Sequence, residues 1–155
     1  MNQVQIRNFV HEDTNPIADI LKGVEWASQY VEHQLSSIEK LHQNKDGEVL
    51  VATLADQVVG YVVVQHHRWN KLSYMIGLVV SINHHRLGVG KKLVELAEQS
   101  SQSRGNRGLY LDTPVDNINA INFYEAIDYK AGYLMPHFYE PDLDAITYQK
   151  FWKNS

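Results

Sequence analysis

The stretch "NHHRLGVGKK", residues 83–92, places two glycines one residue apart directly before a segment with helical periodicity. Acidic residues favour the first turn of a helix, because the unpaired N–H groups there carry a partial positive charge. This turn instead carries Arg86, Lys91 and Lys92. Glycine lets an anion approach backbone N–H groups without meeting a Cβ atom. The stretch therefore predicts a strand-to-helix turn that binds an anion.

Length and composition limit the class of protein. The chain has 155 residues, and we expect residues 1–155 to form one domain around one core. The net charge of −4 argues against general nucleic-acid binding, which needs a broad cationic surface. There is no cysteine, which excludes a disulfide framework, a thiolate metal site and a cysteine nucleophile. The sequence has neither a cationic leader nor a long apolar run, so we expect a cytoplasmic protein without a membrane partner.

Hydrophobic periodicity predicts strands and helices on both sides of the glycine turn. Asn15 and Pro16 predict a helix start, with Asn15 as the N-cap. The predicted strands are a weak first segment at 3–9, then 48–55, 58–67, 71–80, 108–113, 129–135 and 144–152. The further predicted helices cover 31–42, 88–104 and 117–127.

The lengths of the connections predict how these strands pair. Only Asp56 and Gln57 separate two of the β-branched segments, which favours a hairpin and an antiparallel meander over 48–80. A helix connects this meander to the strand at 108–113, so that strand must run parallel to the last meander strand. We therefore expect an α/β fold with a mixed sheet of about seven strands and about four helices. The glycine turn lies where the pairing changes, a position that ligands favour in open sheets.

Three kinds of anion site use a glycine-rich turn of this sort. A P-loop needs four residues between its first glycine and its Gly-Lys pair, and the Gly88 to Lys91 segment lacks them. A dinucleotide-binding motif occupies the first turn of repeated parallel units, whereas this turn follows an antiparallel meander. The third kind of site binds the diphosphate of coenzyme A.

Two segments resemble signatures of the GNAT superfamily of acetyl-CoA-dependent N-acetyltransferases. "LVVSINHHRLGVGKKLV", 78–94, is similar to the family's glycine turn, which reads Gln or Arg, two residues, Gly, one residue, and Gly or Ala; His85 stands at the first position. "NINAINFYEAIDY", 117–129, is similar to the second signature, with Asn117, Ala120 and Tyr124 at matching spacing. Asp128 and Tyr129 replace the family's usual Gly-Phe pair. The resemblance implies an N-acetyltransferase that uses acetyl-CoA as co-substrate.

The resemblance also implies where this co-substrate binds. N–H groups of about residues 86–91 would hold the diphosphate, and the pantetheine arm would pair with the backbone of 78–80 as an added strand. The implied cofactor-binding residues are Leu78, Val79, Val80, His85, Arg86, Leu87, Gly88, Val89, Gly90, Lys91, Asn117, Ala120, Phe123 and Tyr124.

The implied reaction is the direct attack of a neutral amine on the acetyl thioester, without a covalent enzyme intermediate. By analogy with the family, Tyr124 gives a proton to the leaving sulfur. A backbone N–H near Leu78 or Val79 would stabilise the oxyanion. Asp112 stands where some members that modify protein N-termini carry a glutamate, so we name it as the candidate base; a chain of waters is the alternative. Adjacent histidines do not converge on one metal, and we expect no metal site.

In this fold the acceptor usually lies between the early helices and the last two strands. Trp26 and Tyr30 are therefore the candidate substrate-binding residues. Glu140, Asp142 and Asp144 would suit a cationic acceptor by electrostatic steering. The resemblance leaves two kinds of acceptor open, the primary amine of a small molecule and that of a peptide or protein.

A second class of function stays open beside the enzyme. A catalytically silent acyl-CoA-binding module would have the same motifs and would sense the cofactor or hold a partner. The sequence is compatible with a monomer or a homodimer.

Overall fold

The computed structural model describes residues 3–152, which form one seven-stranded mixed sheet in the order β1-β2-β3-β4-β5-β7-β6 with helices on both faces. The strands are β1 (Gln5–Asn8), β2 (Gly47–Leu54), β3 (Gln57–His67), β4 (Leu72–Val80), β5 (Gly108–Pro114), β6 (Lys130–Glu140) and β7 (Leu143–Phe151). The helices are α1 (Thr14–Gly23), α2 (Ser28–Leu41), α3 (Val89–Ser103) and α4 (Ile118–Ala126), with short 3-10 turns at His11–Asp13 and Ile82–His84. The predicted fold class is confirmed. Within residues 3–152, no helix is long and apolar enough to cross a membrane.

The sheet separates two apolar clusters. The cluster on one face contains the buried side chains of α3, including Val89, Leu93 and Ala97, together with Tyr124 of α4. The cluster on the other face contains Ile17 of α1 and further buried residues of α1 and α2. Burial of these helix stripes against the sheet fixes both layers, as the periodicity predicts.

Strands β4 and β5 are parallel neighbours for only three residue pairs. The pairs are Leu72 with Gly108, Ser73 with Leu109, and Tyr74 with Tyr110. Beyond them the two strands diverge, although β4 continues to Val80 and β5 to Pro114. The prediction of a parallel pair beside the glycine turn is confirmed, and a gap opens in the sheet at the carboxyl ends of these strands.

A bulge in β4 lies at the start of this gap. The register between β3 and β4 shifts after Val63 and leaves Ile76 without a partner in β3. Gln34 of α2 fills the bulge: its Nε2 donates to the Ile76 carbonyl at 3.2 Å, and its Oε1 accepts from the Tyr61 hydroxyl at 2.7 Å. A Cβ atom on Gly77 would collide with the Gln34 Oε1 atom. The missing side chain at Gly77 therefore allows α2 to hold the bulge in place.

Two predicted boundaries are wrong by one or two residues. The N-cap of α1 is Asp13 and not Asn15, because the 3-10 turn before the helix brings the chain into helical geometry earlier. The β2–β3 turn is formed by Ala55 and Asp56 rather than by Asp56 and Gln57. Both turn residues have positive φ, 50° and 63°, as the tightest hairpin turns require, and Ala55 gives no sequence signal for that conformation.

Strand β6 is longer than predicted and irregular. It continues past Pro136 to Glu140, and its pairing with β7 is interrupted at two places. At the second interruption His137 has a φ of 60°, and its N–H donates to the Asp144 carboxylate at 2.9 Å. The contact gives Asp144 a structural role in this hairpin, whereas the sequence suggested steering of the acceptor.

The fit between Gly77 and Gln34 predicts the effect of adding one methyl group. We expect Gly77→Ala to lower the free energy of unfolding by about 2 kcal/mol, because the buried Gln34 amide would have to leave both of its hydrogen bonds. Gly23→Ala is the matched control, since nothing lies within 4 Å of a Cβ at Gly23. Its stability should change by no more than about 0.5 kcal/mol. Urea denaturation of both variants would measure the difference, and equal stabilities would contradict this account.

Candidate active site

The edge of β4 that faces the gap offers free backbone groups. Ser81 donates its N–H to the Val59 carbonyl at 2.7 Å, and Val79 lies opposite Tyr61. Because hydrogen-bonded pairs alternate along an antiparallel ladder, the N–H and C=O of Val79 point toward β3. Those of Leu78 and Val80 therefore point into the gap. Of the two predicted oxyanion donors, the register favours Leu78.

The glycine turn between β4 and α3 is exposed from His85 to Gly88. Arg86 and Gly88 both have positive φ, 67° and 78°, and α3 begins directly after them at Val89. Among residues 3–152, no side chain caps this helix, and its first turn has no acidic residue. The N–H groups at the start of α3 therefore remain available to an external anion.

The second glycine of the turn permits close packing. A Cβ atom on Gly90 would lie 3.3 Å from the ring of Phe123, which belongs to α4. Phe123 in turn contacts Tyr124 edge to face at a centroid distance of 5.1 Å. Gly90 thus brings the start of α3 against α4, and the two predicted signature segments meet at this contact.

The charged side chains around the turn have different roles. His85 contacts the Val80 carbonyl through Nε2 at 3.0 Å and so connects the turn to the gap edge of β4. Lys92 donates to the Val4 carbonyl at 2.8 Å, which commits it to the first strand. Arg86, Leu87 and Lys91 are exposed at the turn. Lys91 makes no such hydrogen bond within residues 3–152. Of the two lysines after the glycines, it is therefore the one whose ammonium group is available to an anion.

Asn117 connects β5 to α4. Its Oδ1 accepts from the Ala120 N–H at 3.2 Å, which caps α4. The contact fixes the side chain and leaves the Nδ2 group as a donor. Asn117 therefore has a structural function in addition to the predicted cofactor contact.

Tyr124 is 7% exposed, and its ring lies 5.8 Å from Tyr129 and 6.4 Å from Tyr148 between centroids. Its hydroxyl has no hydrogen-bond partner among residues 3–152, although the residue lines the cavity described next. Burial and the neighbouring Tyr139 raise the pKa of Tyr124 above its ordinary value. The hydroxyl therefore stays protonated at neutral pH and is available as a donor.

The gap opens into a cavity of about 480 Å³. Six predicted site residues line it together: Trp26, Tyr30, Leu78, Asp112, Asn117 and Tyr124. The other predicted cofactor residues lie outside its lining, on the turn, the neighbouring end of β4 and the outer part of α4. Within the described residues, no group of three histidine, aspartate or glutamate side chains could share a metal ion.

Asp112 accepts a hydrogen bond from the Tyr74 hydroxyl through Oδ2 at 2.8 Å. Tyr74 stacks on Tyr110 at a centroid distance of 4.8 Å, and burial together with Asp112 raises the pKa of Tyr74. The sequence analysis missed Tyr74. A signal existed, because alternation along the predicted parallel strands places all three side chains on one face of the sheet.

Tyr139 belongs to the segment 135–144, which the sequence places with Trp26 and Tyr30 around the acceptor, and it lines the cavity. Tyr30 of α2 donates to its carbonyl at 3.3 Å, and the two rings lie edge to face at 6.2 Å. Partial burial and the neighbouring Glu140 carboxylate raise the pKa of Tyr30. Burial and Asp112 raise the pKa of Tyr139. The contact joins α2 to the β6–β7 hairpin and forms one wall of the cavity.

The sequence model of the Acetyltransferase (GNAT) family matches residues 14–129 of the chain. Among curated relatives, streptothricin acetyltransferase of Escherichia coli is 29% identical over 89 residues, which cover 57% of this chain and 51% of that protein. The chain spans between 15% and 64% of the lengths of the first curated relatives that it matches.

Solved structures agree with the fold. The ribosomal-protein-S18-alanine N-acetyltransferase of Escherichia coli superposes with a TM-score of 0.81 at 17% identity, covering 99% of this chain and 96% of that chain. The PaiA N-acetyltransferase of Thermoplasma acidophilum, solved in complex with coenzyme A, gives a TM-score of 0.78 at 17% identity, covering 97% and 99%. At these identities the likeness concerns the fold alone.

Proposed function

Because the chain belongs to the acetyltransferase (GNAT) family, we propose that it transfers an acetyl group from acetyl-CoA to the primary amine of a small molecule or peptide. The proposed transfer is direct, without a covalent enzyme intermediate. One observation carries the proposal: within residues 3–152, the gap between β4 and β5 connects a helix start that no side chain caps to a cavity with a tyrosine hydroxyl that has no hydrogen-bond partner.

The residues around the gap fit an acyl carrier of this chemistry. The exposed N–H groups at the start of α3 suit a diphosphate, and Arg86 and Lys91 add positive charge. The N–H and C=O of Leu78 and the N–H of Val80 face the gap, and an extended amide-containing arm can pair with them. The family match supports acetyl-CoA as the co-substrate, as does a putative streptothricin acetyltransferase of Bacillus anthracis, 25% identical, that was solved with acetyl coenzyme A. Acetyl-CoA supplies an activated acetyl group when it is bound.

Leu78 is the proposed donor to the developing oxyanion. Its N–H points into the gap and is held by the β3–β4 ladder, so it needs no reorganisation to act. One such donor contributes about 3 kcal/mol to transition-state stabilisation. Because the donor belongs to the backbone, side-chain substitution at Leu78 leaves it in place.

Three proton transfers remain, and the cavity offers two groups for them. An amine with a pKa of about 10 is mostly protonated at neutral pH and must lose a proton before it attacks. Asp112 is the proposed acceptor of that proton, and Tyr74 orients it through the 2.8 Å hydrogen bond to Oδ2. Tyr124, whose hydroxyl has no hydrogen-bond partner within residues 3–152, is the proposed donor to the leaving sulfur, and its oxygen then takes the second proton from the attacking nitrogen to leave a neutral amide.

Replacing Tyr124 tests the proposed acid. We expect Tyr124→Phe to lower kcat roughly 10- to 1,000-fold with little change in acetyl-CoA affinity, because one positioned proton donor is lost. Steady-state kinetics and calorimetry would measure the two quantities. Wild-type turnover in this variant would assign Tyr124 to packing alone.

The unfolding free energy separates this effect from a loss of structure. In Tyr124→Phe it should stay within about 0.5 kcal/mol of wild type, since the hydroxyl has no partner to lose among the described residues. Tyr61→Phe is the matched comparison. It leaves the Gln34 Oε1 atom buried without its donor and should cost about 1–2 kcal/mol.

The proposed base is tested by the pH dependence of kcat/KM. We expect Asp112→Asn to lower kcat/KM and to flatten its rise with pH, because the group that accepts the amine proton is removed. Asp116→Asn is the control, since Asp116 follows β5 but does not line the cavity. An unchanged pH profile in Asp112→Asn would assign the proton transfer to water.

A screen for thiol release tests the function itself. An enzyme should release free coenzyme A from acetyl-CoA in the presence of some amine among polyamines, amino sugars, amino acids and short peptides. A silent acyl-CoA-binding module should bind acetyl-CoA in calorimetry and release no thiol with any of them. Absence of binding heat with acetyl-CoA would contradict both functions.

A further inference from the structure

We propose that the acceptor is a small dicationic amine, whose reacting amine lies at Asp112 and whose second ammonium group lies at Glu140. The inference rests on the proposed acetyl transfer and names the class of acceptor for the same cavity. It follows from the charges and the ring faces that surround the cavity, and from the position of the two carboxylates.

The charges of the cavity lining exclude anionic acceptors. All of its residues belong to the described part of the chain, none is lysine or arginine, and Asp112 is the one carboxylate among them. His33 is the one histidine of the lining. A carboxylate or phosphate on the acceptor would lose its water here without gaining a permanent cation, which is costly. An ammonium group on the acceptor also loses water, but Asp112 offers it a partner of opposite charge.

The walls of the cavity are aromatic and suit a cation. The rings of Trp26, Tyr30, Tyr74, Phe138 and Tyr139 line it. Aromatic faces attract ammonium groups, and the attraction increases when water is excluded. The alkyl chain of an amine also packs favourably on these rings, so both parts of an aliphatic diamine find a complementary surface.

A second carboxylate lies at the rim of the same cavity. Glu140 lies opposite Leu143 of β7, which lines the cavity, and it follows Tyr139, whose carbonyl accepts from the Tyr30 hydroxyl at 3.3 Å. Asp112 lines the cavity together with Tyr139. The carboxylate of Asp112 therefore lies on one side of the Tyr30–Tyr139 contact, and that of Glu140 lies on the other. Two separated carboxylates with aromatic rings between them match an amine with two ammonium groups.

The Tyr30–Tyr139 contact also favours a small acceptor. The hydroxyl of Tyr30 reaches the Tyr139 carbonyl at 3.3 Å and connects α2 with the β6–β7 hairpin across this side of the site. A cavity of about 480 Å³ must hold both the acetyl end of the co-substrate and the acceptor. The remaining space suits a short amine chain.

Three amines of equal chain length test the proposal: cadaverine with two ammonium groups, pentylamine with one, and δ-aminovalerate with an ammonium and a carboxylate group. We expect kcat/KM for cadaverine to exceed that for pentylamine about five-fold, the size that one solvent-accessible ion pair supports. δ-Aminovalerate should be the poorest acceptor. Glu140→Gln should lower the cadaverine to pentylamine ratio toward one.

Glu39→Gln is the matched control, because it removes the same charge from an exposed residue of α2 that does not line the cavity. Its kcat/KM values should equal those of the wild type with all three amines. Equal values for the three amines in the wild type, or an unchanged ratio in Glu140→Gln, would overturn the proposed acceptor class and leave the acetyl transfer standing.

Calorimetry separates failure of this inference from failure of the proposed function. If no amine releases thiol, cadaverine can still be titrated into the protein saturated with coenzyme A. The dicationic site would be supported without catalysis if Glu140→Gln weakened cadaverine binding about five-fold and Glu39→Gln left it unchanged. Absence of binding under these conditions would overturn the site as well.

Discussion

The site depends on the divergence of β4 from β5. Polar contacts fix β4 both where the two strands are paired and where they separate. Where the strands are still paired, the buried Ser73 hydroxyl of β4 contacts His66 at 2.7 Å and Ser101 of α3 at 2.6 Å. Where they separate, Gln34 of α2 holds the bulge at Ile76. Because buried hydrogen bonds are costly to leave unmade, the strands can neither close along their full length nor separate at their base.

The same divergence gathers unsatisfied polar groups in one place. Folded proteins pair nearly all of their buried backbone donors, and a continuous sheet would have paired Leu78 and Val80. The uncapped start of α3 and the Tyr124 hydroxyl add further groups that the described residues leave without partners. Leu78 and Tyr124 line the cavity, and His85 connects the turn before α3 to the gap edge of β4, so a bound co-substrate can satisfy these groups together. An ordinary interruption of a sheet does not bring so many polar groups without partners together.

Features that depend on neighbouring residues in the sequence could be predicted. Features that depend on a side chain far away in the sequence could not. The glycine turn, the helix after it and the parallel pair follow from composition, periodicity and connection length, and the structure contains all three. The bulge has no local signal, because Gly77 is required only by Gln34, which lies far away in the sequence. Tyr74 was missed for a similar reason: its importance depends on Asp112 across the strand pair. The register between β4 and β5 identifies Tyr74 as a neighbour of Asp112, which the sequence motifs do not.

Alternation along β5 bears on the proposed direct transfer, because it determines which faces of the sheet the cavity reaches. Neighbouring residues of a strand point to opposite faces of the sheet, yet Leu111 and Asp112 both line the cavity. Leu111 and Tyr124 belong to the apolar cluster on the α3 and α4 face, whereas Tyr30 extends from α2 on the other face. The cavity therefore passes through the sheet at the gap. A co-substrate held by the start of α3 and an amine held among the rings near α2 would reach the gap from opposite faces. This approach fits the proposed direct attack, since the proposed base Asp112 and the proposed acid Tyr124 belong to opposite faces of the sheet.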